Sequence, residues 1–192
     1  MSIRKLLVRS ASSMSTWGLR HIARRPAANM PGKIALKLDP QIIAESMGKV
    51  TEGSIVVVGT NGKTTITNMI ADALERQGKT VACNRTGANL AYGVATTLLQ
   101  TKGSVEWGVF ESDELWLAHT LPQVQASYVL LLNLFRDQLD RCGEIDRVQD
   151  AIVQALSESP DTVLLYNADD PLCAMVALRV PNKSVAFGVG ED

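Results

Sequence analysis

Beyond residue 50 the chain alternates short, continuous apolar runs with stretches whose apolar residues recur every three or four positions. The runs cover 54–58, 80–83, 105–110, 126–132, 162–166 and 184–187, each the length of a strand. In the run from Tyr128 to Leu132 no polar residue interrupts the apolar ones, the pattern of a strand covered on both faces. Helical spacing marks 64–77, 90–100, 113–120, 144–157 and 170–178, and a short helix is predicted over 40–48, after the turn at Leu38, Asp39 and Pro40. Short strands alternating with helices predict an α/β fold with a doubly wound, mostly parallel sheet.

The first 38 residues have another pattern. At 100° per residue, Ile3, Leu6, Leu7, Met14 and Trp17 share one arc of a helix, and Arg4, Lys5, Arg9 and Arg20 lie outside it. This is an amphipathic basic helix. Pro26, Pro31 and Gly32 are expected to separate it from the rest of the chain, giving a leader and linker (1–38) and a domain (39–192).

Charge sharpens that division. The net charge of −1 comes from 19 basic and 20 acidic residues. Residues 1–38 hold eight of the basic residues and no acid, so the remainder has 11 basic against 20 acidic residues, a net −9. Three readings of the leader stay open. It is a membrane-surface contact, in which each basic residue adds about 1 kcal/mol on anionic lipid, an organellar transit peptide, or a helix packed on its own domain. It lacks the apolar core of a secretory signal, about 7 to 15 residues long. The acidic body is no platform for nucleic acid.

With 46% apolar and 20% charged residues in 192, the composition excludes a disordered or collagen-like chain. Cys83, Cys142 and Cys173 show no paired spacing, which points away from a disulfide framework and a local zinc site and toward a reducing, cytoplasmic setting. Cys142 and Cys173 read as packing residues. The only histidines are His21 and His119, so a thiol nucleophile at Cys83 has little support.

The strongest chemical signal is the passage from the run 54–58 into Gly59, Thr60, Asn61, Gly62, Lys63, Thr64 and Thr65, and from there into a helical pattern. Strand, glycine loop, Lys-Thr and helix form the context of a phosphate-binding loop. Backbone N–H groups and the helix N-terminus would surround the phosphates. Lys63 would meet the β/γ-phosphates, and the Thr64 hydroxyl would reach Mg²⁺. Glu111, the first polar residue after its strand, is the expected second metal ligand and, with Lys63, the expected catalytic group. Asp113 and Glu114 read as acids at a helix N-terminus, with Asp113 left open. Asn84, Thr86, Gly87 and Asn89 form a polar loop that either receives substrate or caps a turn before the next helix.

The glycine spacing is shorter than in the usual phosphate loop and resembles that of the Mur ligase and folylpolyglutamate synthetase superfamily, whose members join a carboxylate to an amine using ATP. The segment from Asn133 to Asp140 resembles that family's N-x-x-x-D-H-L-D element, with Asp137 in place and Gln138 where the histidine stands. In the family that histidine helps to bind a second metal, so Asn133, Asp137 and Gln138 have uncertain roles. Asn167, Ala168, Asp169 and Asp170 resemble the family's N-A-D-D element on the adenine side of ATP, which assigns Asn167 and Asp169 to the nucleotide. By pattern alone the same residues are a turn with Asp169 or Asp170 capping a helix that starts at Pro171.

Amino-acid-adding members carry a carbamylated lysine about 15 residues beyond the histidine, yet no lysine lies between Asp140 and Asn167. Together with the basic leader, residues 30–37, residues 84–90 and residues 111–114, this resembles the branch of the family that amidates the D-glutamate α-carboxylate of lipid-linked peptidoglycan precursor. The resemblance implies ATP and Mg²⁺ as cofactors, a GatD-like glutaminase subunit as partner and work at the inner face of the plasma membrane. It also implies a four-cysteine zinc insertion and a further domain beyond Asp192, so the chain is expected to be part of a longer one. A folylpolyglutamate or amino-acid-adding ligase, and a non-catalytic ATP-binding module, are the alternatives.

Overall fold

A computed structural model describes residues 30–135 and 144–189. The leader up to Asn29, together with Asp137, Gln138 and Cys142, lies outside the described residues. The elements run α1 (Met30–Leu38), α2 (Ile42–Met47), β1 (Val50–Val58), α3 (Lys63–Arg76), β2 (Val81–Cys83), α4 (Ala91–Gln100), β3 (Val105–Glu111), a 3₁₀ turn (Glu114–Trp116), α5 (Leu117–Val124), β4 (Tyr128–Leu131), α6 (Glu144–Ser157), β5 (Val163–Asn167), α7 (Pro171–Arg179) and β6 (Ser184–Phe187).

Among the described residues, six strands form one sheet in the order β2-β3-β1-β4-β5-β6, and each of its five pairings is parallel. The expected α/β class and doubly wound sheet are found. Right-handed crossovers put a helix on opposite faces according to the direction in which the chain steps. Only the step from β1 to β2 runs toward the β2 edge, so among the described residues α3 is alone on its face, packed on β1, β2 and β3. Alternation along the strands shows the same division. Val56, Val58, Phe110, Val129, Leu131 and Leu164 join one core cluster with Val94, Leu98, Leu117, Leu121, Ile152 and Val176 from the other helices. Val57 and Val109, on the opposite side, are fully buried together with Ala71 of α3.

The chain leaves β1 toward one edge and leaves β4 toward the other, so the carboxyl ends of these neighbouring strands flank the switch point of the sheet. That crevice is where ligands of such folds collect.

Two expectations are corrected. Pro31 and Gly32 do not interrupt the chain before the domain but lie in the first turn of α1, where proline is tolerated because its missing N–H has no helical partner. Gly32 N donates to Thr96 Oγ1 of α4 at 2.9 Å. A Cβ on Gly32 would stand 1.9 Å from the Tyr92 carbonyl oxygen, so only glycine admits this approach. The helix predicted over 113–120 instead begins as the 3₁₀ turn and continues as α5 through Pro122. It ends one turn later, at Gln125 in the left-handed conformation.

Candidate nucleotide and cation site

The loop after β1 is held by the segment after β4. Thr60 N donates to Asn133 O at 2.9 Å. Asn61 N donates to Asn133 Oδ1 at 2.9 Å, and Asn133 Nδ2 returns a bond to Asn61 O at 3.0 Å. Phe135 N donates to Thr60 Oγ1 at 3.1 Å. Asn133, uncertain from sequence, is thus a strut of the phosphate loop. Gly62 caps α3 without a side-chain hydrogen bond to the helix. Among the described residues the first-turn N–H groups of α3 have no side-chain acceptor, the condition under which a helix N-terminus receives an anion. Thr65 is exposed in that first turn.

Lys63 folds back over the loop. Its Nζ donates to Gly59 O, to Thr60 O at 3.4 Å and to Glu114 Oε1 at 3.4 Å, and both charged side chains are sheltered, at 14% and 13% exposure. The two acids after β3 both stand at the start of the 3₁₀ turn, as read from the sequence, and one makes a further contact. Asp113 Oδ1 accepts from Leu115 N at 3.0 Å and caps the 3₁₀ turn. Glu114, assigned from sequence to the helix dipole, faces the loop lysine. A bound phosphate would compete with this carboxylate for the ammonium group.

Next to Lys63, the Thr64 hydroxyl donates to Glu111 Oε2 at 2.7 Å, and Glu111 is only 1% exposed. One neutral and one anionic hard oxygen at this spacing suit Mg²⁺, which takes one or two carboxylates and fills its shell with phosphate oxygens and water. Among the described residues no three His, Cys, Asp or Glu side chains cluster to hold a metal, so phosphates and water would complete the shell. Gly87, at φ +75°, lies against the same pair. A Cβ there would stand 3.2 Å from Thr64 Oγ1 and 3.8 Å from Glu111 Oε1.

The 84–89 loop is tied down on two sides. Arg85 reaches α3 through Asp72 at 2.6 Å and Glu75 at 2.8 Å, and Asp113 N donates to Asn89 O at 2.8 Å. Thr86 is exposed and Asn89 half-buried. Asn84, placed by sequence among substrate-facing residues, is 3% exposed. Both N–H donors of its amide and one lone pair of Oδ1 are taken by backbone groups, and the side chain is buried, so it braces the loop.

On the other flank, Asn167 Nδ2 donates to Leu132 O at 3.0 Å and its Oδ1 accepts from Asp169 N at 3.0 Å. Asp169 Oδ2 accepts from Val189 N at 2.8 Å. Asp170 is the cap of α7, accepting from Leu172 N and Cys173 N, and it also accepts from Leu134 N at 2.8 Å. That last bond joins this turn to the 132–135 segment, a link no sequence signal marked. All the described candidates thus lie along one rim at the carboxyl ends of the strands.

Burial pushes the Cys83 thiol up to about 11 and the Cys173 thiol up to about 12. Neither has the low value of a reactive thiolate.

Residues 57–192 match the family model of the Mur ligase middle domain. The chain is 35% identical over 191 residues to the lipid II isoglutaminyl synthase (glutamine-hydrolyzing) subunit MurT of Streptococcus pneumoniae, covering 98% of this chain and 41% of that protein. It is 31% identical over 185 residues to the subunit of the same name from Staphylococcus aureus, covering 91% of this chain and again 41% of the relative. The chain therefore spans about two fifths of the length of these curated relatives. The crystal structure of MurF ligase from Thermotoga maritima in complex with ADP superposes with a TM-score of 0.66 at 21% identity, covering 82% of this chain and 36% of that one, a likeness of fold. With the family model spanning most of its length, this chain belongs to the Mur ligases and carries their middle domain.

Proposed function

We propose that residues 59–65 bind the phosphates of ATP, that Thr64 and Glu111 hold its Mg²⁺, and that the protein works as an ATP-dependent carbon–nitrogen ligase. The observation that carries this reading is the meeting of Lys63 and Thr64 of the phosphate loop with the buried Glu111 at the end of β3, in a chain whose relatives named MurT align over nearly all of it. Asn167 and Asp169 lie on the flank assigned to the rest of the nucleotide. Thr86, Gly87 and Asn89 lie on the flank assigned to the acceptor.

The proposed acceptor is the D-glutamate α-carboxylate of lipid II. A carboxylate resists attack by an amine, so its oxygen first takes the γ-phosphoryl group of ATP, which forms an acyl phosphate and releases ADP. Ammonia from a glutaminase subunit then adds to the acyl carbon, phosphate leaves with the C–O electron pair, and a proton is lost to give the amide. Lys63 positions the phosphates and spreads the charge of the transferring group. Mg²⁺ held by Thr64 and Glu111 would neutralise charge on the phosphates. In this reading residues 39–192, with α1 docked on them through Gly32 and Thr96, form the nucleotide-binding domain, and the basic leader before α1 holds it at the inner face of the membrane.

The test is reconstitution of the full-length protein with its glutaminase, ATP, glutamine and either lipid II or a folate acceptor. Conversion of one lipid II carboxylate to an amide, with matching ADP release, is the expected result. ADP release that depends on folate alone would assign the chain to folylpolyglutamate-type ligases. ATP binding with no acceptor-dependent ADP release would reduce it to a binding module.

A further inference from the structure

Strand β2 ends at Cys83, which pairs with Val109 of β3. At the next residue the side chain takes over from the backbone. Asn84 Oδ1 accepts from Glu111 N at 2.9 Å, and its Nδ2 donates to Glu111 O at 3.2 Å and to Ala88 O at 2.8 Å. A side-chain amide carries the same donor and acceptor as a peptide unit, so Asn84 adds one more rung to the sheet while its own backbone turns away. The chain bends through Gly87 N to Asn84 O and returns to β3 where Asp113 N donates to Asn89 O. The bend brings Gly87 against Thr64 Oγ1 and Glu111 Oε1.

We infer that Asn84 is a positioning residue for the cation. It fixes the backbone of Glu111 and, through Ala88, sets the 84–89 loop as a roof over the Thr64–Glu111 pair, with Gly87 leaving the space a side chain would fill. This inference rests on the proposed reading of Thr64 and Glu111 as cation ligands.

Groups that orient a ligand without touching the metal typically change metal affinity 10- to 100-fold when removed. The probe is Mn²⁺, titrated by electron paramagnetic resonance into the full protein with a non-hydrolysable ATP analogue, beside analogue binding measured without metal. Asn84→Ala is expected to weaken Mn²⁺ binding about tenfold or more and to leave metal-free analogue binding unchanged. Gly87→Ala deletes none of the Asn84 side-chain groups, but it strains the backbone at φ +75° and crowds Thr64, so it is expected to weaken Mn²⁺ binding even if Asn84→Ala does not fold. Wild-type Mn²⁺ affinity in both variants would overturn the inference, as would an equal loss of metal-dependent and metal-free binding in Asn84→Ala. Failure of the wild-type protein to bind Mn²⁺ with the analogue would instead overturn the cation-site reading itself.

Discussion

The side-chain amide of Asn133 pairs with the backbone of Asn61 at both ends, accepting from its N–H and donating to its carbonyl. A residue at the carboxyl end of β4 thereby holds the tip of the loop after β1, across the switch point of the sheet. Neutral hydrogen bonds of this kind contribute about 1 kcal/mol each. Asn133→Ala removes both and frees the loop, so ATP affinity should fall roughly tenfold, the equivalent of about 1.4 kcal/mol, without any contact to ATP being deleted. Calorimetric titration checks this, and unchanged affinity would mean that the loop keeps its shape without the strut.

The fold is legible wherever one period dominates the sequence. All six apolar runs overlap strands, and the helix predicted over 144–157 coincides with α6. The misses have specific causes. Pro31 and Gly32 read as breakers because their local preferences oppose a helix, yet Gly32 is there for a tertiary reason, the close approach of α1 to α4. The helix predicted to stop at residue 120 runs on through Pro122 to Val124, where buried Leu121 and Val124 anchor its last turn in the core.

In the site, the phosphate loop and Glu111 can be read because their residue types and spacing are local. The amides of Asn84 and Asn133, the bond from Leu134 N to Asp170 and the meeting of Lys63 with Glu114 join residues 27 to 72 positions apart. No local pattern encodes such contacts.

The docking of α1 gives a stability prediction. A methyl group on Gly32 has no room beside the Tyr92 carbonyl and the Thr96 hydroxyl. Gly32→Ala should destabilise the protein by about 1–3 kcal/mol, the usual cost of overpacking, seen as a lower midpoint in urea unfolding. Wild-type stability would place α1 elsewhere.

The cysteines give a prediction in pH. Burial disfavours the Cys83 thiolate and moves the thiol up to about 11, so at pH 8 only about one thiol in a thousand is ionised and reactive. In a Cys142→Ser variant, alkylation of native Cys83 by iodoacetamide should rise about tenfold per pH unit from 8 to 10 without levelling off. A plateau near pH 8.5, about the value of a free thiol, would contradict this environment.

The leader reading is tested on vesicles. With eight basic residues and no acid in residues 1–38, the full protein should float with anionic liposomes and not with neutral ones. Deletion of residues 1–25 should abolish flotation. Equal flotation of the deleted protein would return the leader to a packing role.

The central claim is that residues 59–65 hold nucleotide phosphates, with Lys63 as their cation. Charge-assisted hydrogen bonds of this kind contribute about 1.5–3 kcal/mol, more than tenfold in affinity. The most direct measurement is calorimetric titration of Mg²⁺-ATP into the wild-type protein and Lys63→Ala. The account predicts binding to the wild type and at least a tenfold loss in a variant that still folds, whereas equal affinity in the two proteins would contradict it.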